Sequence, residues 1–399
     1  MTATTMTMAT AGETRVPGLE RLAAALLFGF VASLQISIAV ANILLSALLV
    51  CWIAIHVRDR RWPSAPVFFV PLTAYGAMTL VSSVLSSNPG ISLLDSRQLV
   101  LFAVVPAVYE IARGRRAPAT IDVIVSVGAA SAAFGILQYG VLHYDNLGQR
   151  PLGAMSHYMT YSGLLMLVLC AASARLVFGK RDRIWPALVM PALVVALSLT
   201  FTRNAWIGAC GAVALLFILK DFRLTAILPV IIALLFVIAP GDIPSRLTST
   251  FNAQDPANQD RLAMVEIGAR MVRDHPMTGV GPNMVPVLYE QYRPDYAVNQ
   301  TNPHLHNVPL QIAAERGLPA LALWLWFLVS VTVGLFRLFR QQQDKVLAAT
   351  GLAAIVAMLA AGLFEYNFGD SEFLMLFLVL VTLPFASARS DSAAASDRA

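Results

Sequence analysis

Charge is scarce in this chain: only 13% of its 399 residues are Asp, Glu, Lys or Arg, where an average soluble domain carries about 25%. That shortage excludes an ordinary soluble enzyme and a charge-rich disordered protein. There are three cysteines, too few for a disulfide scaffold. Cys51, Cys170 and Cys210 each sit in an apolar run without CxxC spacing, which reads them as small packing residues. The first 18 residues lack a basic segment followed by an apolar one, so no cleaved signal peptide is expected. No HExxH, Walker-type loop or outer-loop Asp-x-Asp pair occurs, which argues against nucleotide chemistry. What the chain has is 57% hydrophobic residues and a mean hydropathy of +0.68. These values describe an all-α polytopic membrane protein with membrane lipids around it. The net charge of +5 then reads as the positive-inside bias of membrane loops rather than as a nucleic-acid surface.

A spanning helix needs about 20 mostly apolar residues. The run 22–55 is too long for one span and carries a polar dent at Gln35–Ser37, so it divides into two helices. Further runs fall at 66–86, 97–112, 120–141, 158–178, 185–202, 204–219, 223–239, 318–336, 346–364 and 371–387, about twelve spans in all. The expected organisation is a cytoplasmic tail (1–21), nine spans (22–239), a long loop (240–317), three spans (318–387) and a second cytoplasmic tail (388–399). With the N-terminus inside, 19 of the 28 basic residues fall on cytoplasmic segments. Six of the other nine lie in the long loop, which escapes the charge rule. The expectation is a bacterial inner-membrane protein with both termini cytoplasmic and the long loop periplasmic. Loops of that length are usually functional or disordered, and helical patterning with capping signals predicts that this one is ordered.

Candidate chemistry concentrates on the outer side. In the segment 258–274, Leu262, Val265, Ala269 and Val272 recur at helical spacing and predict the buried face. Glu266, Arg270 and Arg273 fall opposite, while Arg261 projects towards the apolar side. It is either a snorkelling cation whose stem covers apolar surface or a guanidinium held for an anionic ligand. Arg203 stands at the outer boundary between two apolar helices, as an interfacial anchor or a functional charge. In the segment 301–319, Asn307 as N-cap, Pro309 in the first turn and Gly317 as stop predict a short helix over 308–316. His306 then precedes it. His304 and His306 fail as a zinc pair on inventory, since two helical residues so spaced splay and no further Cys or His completes the shell. They are a surface pair without a role, or one of them is a base near neutral pH. The run 279–283 is a plain turn or a backbone phosphate cradle. Arg150, in an outer loop ahead of His157 and Tyr158, is a further possible anion contact. Asp260, Glu266 and Glu315 are assigned to structural salt bridges.

Three segments, TFTRNAWIG (200–208), DRLAMVEIGARMVRDHPMTGVGPN (260–283) and HNVPLQIAAERGLPAL (306–321), together resemble the O-antigen ligase/polymerase superfamily of bacterial envelope glycosyltransferases. The resemblance covers 150–365 by motif, and chain length sides it with the lipopolysaccharide O-antigen ligases. It implies a GT-C-like bundle with an ordered periplasmic loop roofing the site, and an inverting, metal-independent transfer. The implied donor is an O-antigen on undecaprenyl diphosphate, the implied acceptor the lipid A–core, and no cofactor or metal is implied. His306 would be the base, and Arg203 and Arg261 would bind the diphosphate, with Arg150 and His304 as further contacts. The match around Arg150–Tyr158 is loose. Two alternatives stay open. One is an O-antigen polymerase of the same superfamily. The other is a twelve-helix lipid-linked glycan transporter or flippase, which predicts midplane ionisable residues or broken helices and related halves; the sequence shows neither clearly.

Overall fold

The computed structural model describes residues 17–143, 150–180, 183–229 and 256–396, and among these every regular element is helical. The long first apolar run is split at its polar dent: α1 (Pro17–Ser33) ends before Gln35, and α2 (Ile38–Asp59) starts from Ser37, whose hydroxyl accepts the Val40 N–H. Next come α3 (Phe69–Val84) and a broken helix made of α4 (Pro89–Ser96), a 3-10 segment (Arg97–Ala103) and α5 (Val104–Ile111). That element begins eight residues earlier than the apolar run at 97–112, because Asn88 caps it and Pro89 opens it. Then follow α6 (Arg116–Gly140), α7 (Tyr158–Phe178), α8 (Ile184–Leu199) and α9 (Arg203–Lys220).

Among the described residues, seven helical segments are long and apolar enough to cross a membrane, and three more apolar helices (Phe69–Val84, Ile184–Leu199, Val346–Gly362) are shorter. The molecule is a polytopic membrane protein. Of the span expected at 223–239, residues 230–239 lie outside the described residues; the preceding Phe222–Ile227 form a 3-10 turn. Residues 240–255 of the long loop lie outside them too.

The rest of the loop folds on itself. Helices α10 (Pro256–Asp274) and α11 (Val285–Tyr292) enclose a small core of Met264, Ile267, Met271, Val285, Tyr289 and Leu305. This corrects the expected face of α10, of which only Val272 packs against that core. Ala263, Met264, Ile267 and Met271 are buried, whereas Leu262 and Val265 are half exposed and Ala269 is exposed. The helix carries two apolar stripes, and close packing chose the one containing Gly268, where a Cβ would lie 2.7 Å from Leu310 and 2.8 Å from Leu305. Helix α12 (Val308–Gln341) is two helices joined at Gly317, whose φ of 83° no helix contains. Helices α13 (Val346–Gly362) and α14 (Ser371–Ser396) close the bundle, and α7, α13 and α14 form its interior. Cys51 and Cys170 are buried packing residues, but Cys210 lies on the exposed side of α9.

Two polar clusters mark opposite ends of α14. At the end near Arg389, the Glu110 carboxylate accepts from the Trp52 indole (2.7 Å) and the Ser64 N–H (3.0 Å), with His56 Nε2 2.7 Å away. The other end, about 27 Å away at 1.5 Å per residue, begins at Asp370. It borders the site described next.

Candidate functional site

Five chain segments meet at that second end: the start of α7, the start of α9, the 299–307 approach to α12, the end of α13 and the 363–370 connection. Asn307 builds the approach. Its Oδ1 accepts the Leu310 N–H at 2.9 Å as helix cap, and its amide donates to the Leu363 carbonyl at 3.0 Å, pinning the approach to the end of α13. Pro309 sits in the first turn.

His306 has a left-handed backbone, φ 49°, uncommon for a side chain with a Cβ though His is among the residues enriched there. The two histidines are therefore not helical and do not splay. Their rings stand edge to face with centroids 4.2 Å apart. They converge on a carboxylate that sequence reasoning missed: His306 Nδ1 is 2.9 Å from one oxygen of Glu365, and His304 Nε2 is 3.3 Å from the other. The pair is half-buried rather than a surface feature. It also has the third candidate ligand that the sequence inventory lacked, since one donor atom each from His304, His306 and Glu365 lie within 4.8 Å of one another.

Burial raises the Glu365 carboxyl, but the His306 hydrogen bond and the charges of the two histidines outweigh it and hold the group below its usual value. Burial pushes His304 down to about 4, against an opposing pull from Glu365. At neutral pH Glu365 is thus an anion that can only accept, and His306 Nδ1 carries the proton between them. In the neutral ring so hydrogen-bonded, Nε2 is the nitrogen that holds the lone pair.

A cavity of about 270 Å³ opens beside this cluster, lined among others by His157, Thr160, Asn204, His304, Glu365 and Asp370. Arg203 is the first residue of α9, next to the cavity-lining Asn204. The N-cap residue Thr202 makes no side-chain cap bond, its hydroxyl donating instead to the Thr200 carbonyl at 3.1 Å. The first turn of this 18-residue helix therefore has no side-chain cap, and the positive end of its dipole lies at Arg203 and Asn204.

Arg150 lies over the Tyr158 ring, 4.6 Å from its centroid, and Tyr158 follows the cavity-lining His157. Arg261 is half-buried at the border of the packed face of α10. Its neighbour Asp260 accepts from the Asn299 amide at 2.8 Å and the Asn302 amide at 3.4 Å. Asp260 therefore ties α10 to the strand-like approach carrying the histidines instead of forming the expected salt bridge. Glu266 does pair with Arg270, and Glu315 with Arg316 at 2.8 Å, Arg316 lying 3.6 Å from Asp95.

The 279–283 run behaves as a turn. Val280 and Gly281 donate to the carbonyls of Ala314 (2.9 Å) and Glu315 (2.8 Å), satisfying the end of the short helix, so two of its amides are already used. The structure thus joins His304, His306 and Glu365 directly, sets Arg203 one residue from the cavity-lining Asn204, stacks Arg150 on Tyr158, the neighbour of the cavity-lining His157, and links Arg261 to the same approach through Asp260. A signal for Glu365 exists in the sequence: it is an ionisable residue between Phe364 and Tyr366, flanked by two membrane-length apolar runs, and such residues are functional candidates.

No curated protein matches the chain. Residues 187–325, which contain Arg203, Arg261, His304 and His306 but neither Arg150 nor Glu365, match the family model described as O-antigen ligase, and that match supports membership of the chain in the O-antigen ligase superfamily.

Proposed function

We propose that this chain is an O-antigen ligase: an inverting, metal-independent glycosyltransferase that moves O-antigen from undecaprenyl diphosphate to lipid A–core. The observation that carries the reading is the His306–Glu365 hydrogen bond beside a cavity that Glu365 and His304 line, within a chain whose 187–325 segment matches that family. In the proposed reaction His306 Nε2 takes the proton of an acceptor hydroxyl, and Glu365 stabilises the imidazolium that results. The hydroxyl oxygen bonds to the anomeric carbon of the donor while the bond from that carbon to the diphosphate oxygen breaks. The bonding pair leaves on the diphosphate, so the configuration inverts. Arg203 and Arg261 neutralise the departing oxygen; planar guanidinium forks hold phosphate in two places and stay charged. Arg150 and His304 flank the site as further contacts with the substrates.

The reading places twelve spans in a GT-C-like bundle of the bacterial inner membrane, with the site at the periplasmic face and both termini in the cytoplasm. The basic cluster at the far end of α14 supports that orientation, since Arg113 and Arg389 gather around Glu110 there. The test has two parts. Purified chain given lipid-linked O-antigen and lipid A–core in the presence of EDTA forms the joined product, and His306→Ala does not. In cells, deletion removes every O-antigen band and leaves carrier-linked polymer; a surviving single-repeat band instead identifies a polymerase.

A further inference from the structure

We propose that His304, His306 and Glu365 also form a binding site for a divalent transition-metal ion, and that its occupancy switches the base off. Two imidazoles and one carboxylate are a borderline donor set, suited to zinc, cobalt or nickel rather than to magnesium or calcium, which prefer oxygen. Spacing favours it. Zinc bonds of about 2.1 Å in a tetrahedron separate ligand atoms by about 3.4 Å, and the two His–Glu365 distances are already 2.9 and 3.3 Å. Those two contacts are to different oxygens of Glu365, and one donor atom from each of the three residues lies within 4.8 Å of the others, so the donors need only close modestly around an ion.

The surroundings fit a cation. Glu365 is buried and its Oε1 also accepts the Tyr366 N–H at 3.1 Å, an outer contact that fixes the carboxylate. The adjoining cavity leaves room for water or an exogenous ligand at a fourth position. Its described lining carries the carboxylates of Glu365 and Asp370 and no Lys or Arg.

The consequence for the enzyme is a tautomer switch, and this part rests on the reading of His306 as base. A neutral imidazole carries one N–H. While Glu365 accepts that proton from Nδ1, Nε2 holds a lone pair for the acceptor hydroxyl. Once Nδ1 binds the metal, the proton must sit on Nε2, and the nitrogen that took the acceptor proton has become a donor. The ion thereby competes with catalysis without entering it.

Binding is measured on the full-length chain in detergent, stripped by chelator, by calorimetric titration with zinc chloride and by the visible spectrum of added cobalt(II). We expect one saturable ion per chain, and affinity at least tenfold weaker in both His304→Gln and Glu365→Gln, the latter nearly isosteric. Saturating zinc should lower glycan transfer at least tenfold, with full recovery on adding EDTA. Absence of one-to-one binding, or binding unchanged in both variants, overturns the site. Because the titration needs neither donor nor acceptor, it separates the two proposals: a chain that binds zinc but transfers no glycan sinks the ligase reading and leaves the metal site standing.

Discussion

The imidazole of His306 stands 2.9 Å from Glu365, a residue 59 positions further along the chain and beyond both α12 and α13. This one contact fixes both the tautomer and the orientation of the ring. His306→Ala is therefore expected to lower kcat for glycan transfer by about two to four orders of magnitude, the usual worth of a positioned acid–base group. Glu365→Gln should act through His306: kcat falls roughly tenfold to a hundredfold with KM little changed, and the pH–rate profile moves. A KM effect alone would reduce Glu365 to a substrate contact.

For the diphosphate, charge and fork geometry make different contributions. A charge-assisted hydrogen bond is worth about 1.5–3 kcal/mol, so Arg203→Ala and Arg261→Ala should each cost roughly tenfold to a hundredfold in kcat/KM. Lysine at either position keeps the charge but loses the second hydrogen bond, and should recover part of the loss. Activity equal to wild type in Arg203→Ala, measured at subsaturating donor, would show that the guanidinium is only an interfacial anchor.

Local chemistry made some of this molecule readable from sequence, and distance hid the rest. The polar dent at Gln35–Ser37, the Asn307 cap and the Gly317 stop are written in the residues that perform them, so each helix boundary was legible. The buried face of α10 was not, because Leu262 and Val265 are as apolar as Met264 and Ile267, and periodicity cannot choose between two stripes without the neighbour they pack against. The pairing of Glu365 with the histidines was hidden for a different reason. The carboxylate's partners come from another helix end, and the left-handed backbone at His306 that turns the rings together cannot be inferred from spacing. The same missing residue made the histidine pair look one ligand short.

Gly317 is where the site depends on a backbone that only glycine adopts freely. Its φ is 83° and ψ 168°, and a Cβ there would lie 2.3 Å from the Met277 carbonyl oxygen. The next residue, Leu318, donates to the Pro276 carbonyl at 2.8 Å, so the hinge cannot relax without breaking the contact between α12 and the loop. Gly317→Ala should destabilise the protein by about 1–3 kcal/mol, the range for such strain. It should also lower transfer more than its loss of folded protein explains. A variant with unchanged thermal midpoint and full activity would show that the hinge tolerates a side chain.

Acid should weaken the fold through His304. Burial holds this imidazole at about 4, with His306 and His157 pushing the same way and Glu365 opposing. An unfolded histidine titrates near 6.5, so between about pH 6.5 and 4 the unfolded chain binds a proton that the folded chain refuses. Stability must then fall as the pH falls through that window, by at most about 1.4 kcal/mol per pH unit. Glu365, depressed in the folded state, adds its own loss only below the ordinary carboxylate range, so of this pair only His304 acts between 6.5 and 5. Between pH 7 and pH 5 the thermal midpoint of the detergent-solubilised protein should therefore change less favourably than that of His304→Gln, which has no proton to refuse. Equal changes in the two proteins would mean that the imidazole takes up its proton in the folded state as readily as in the unfolded one.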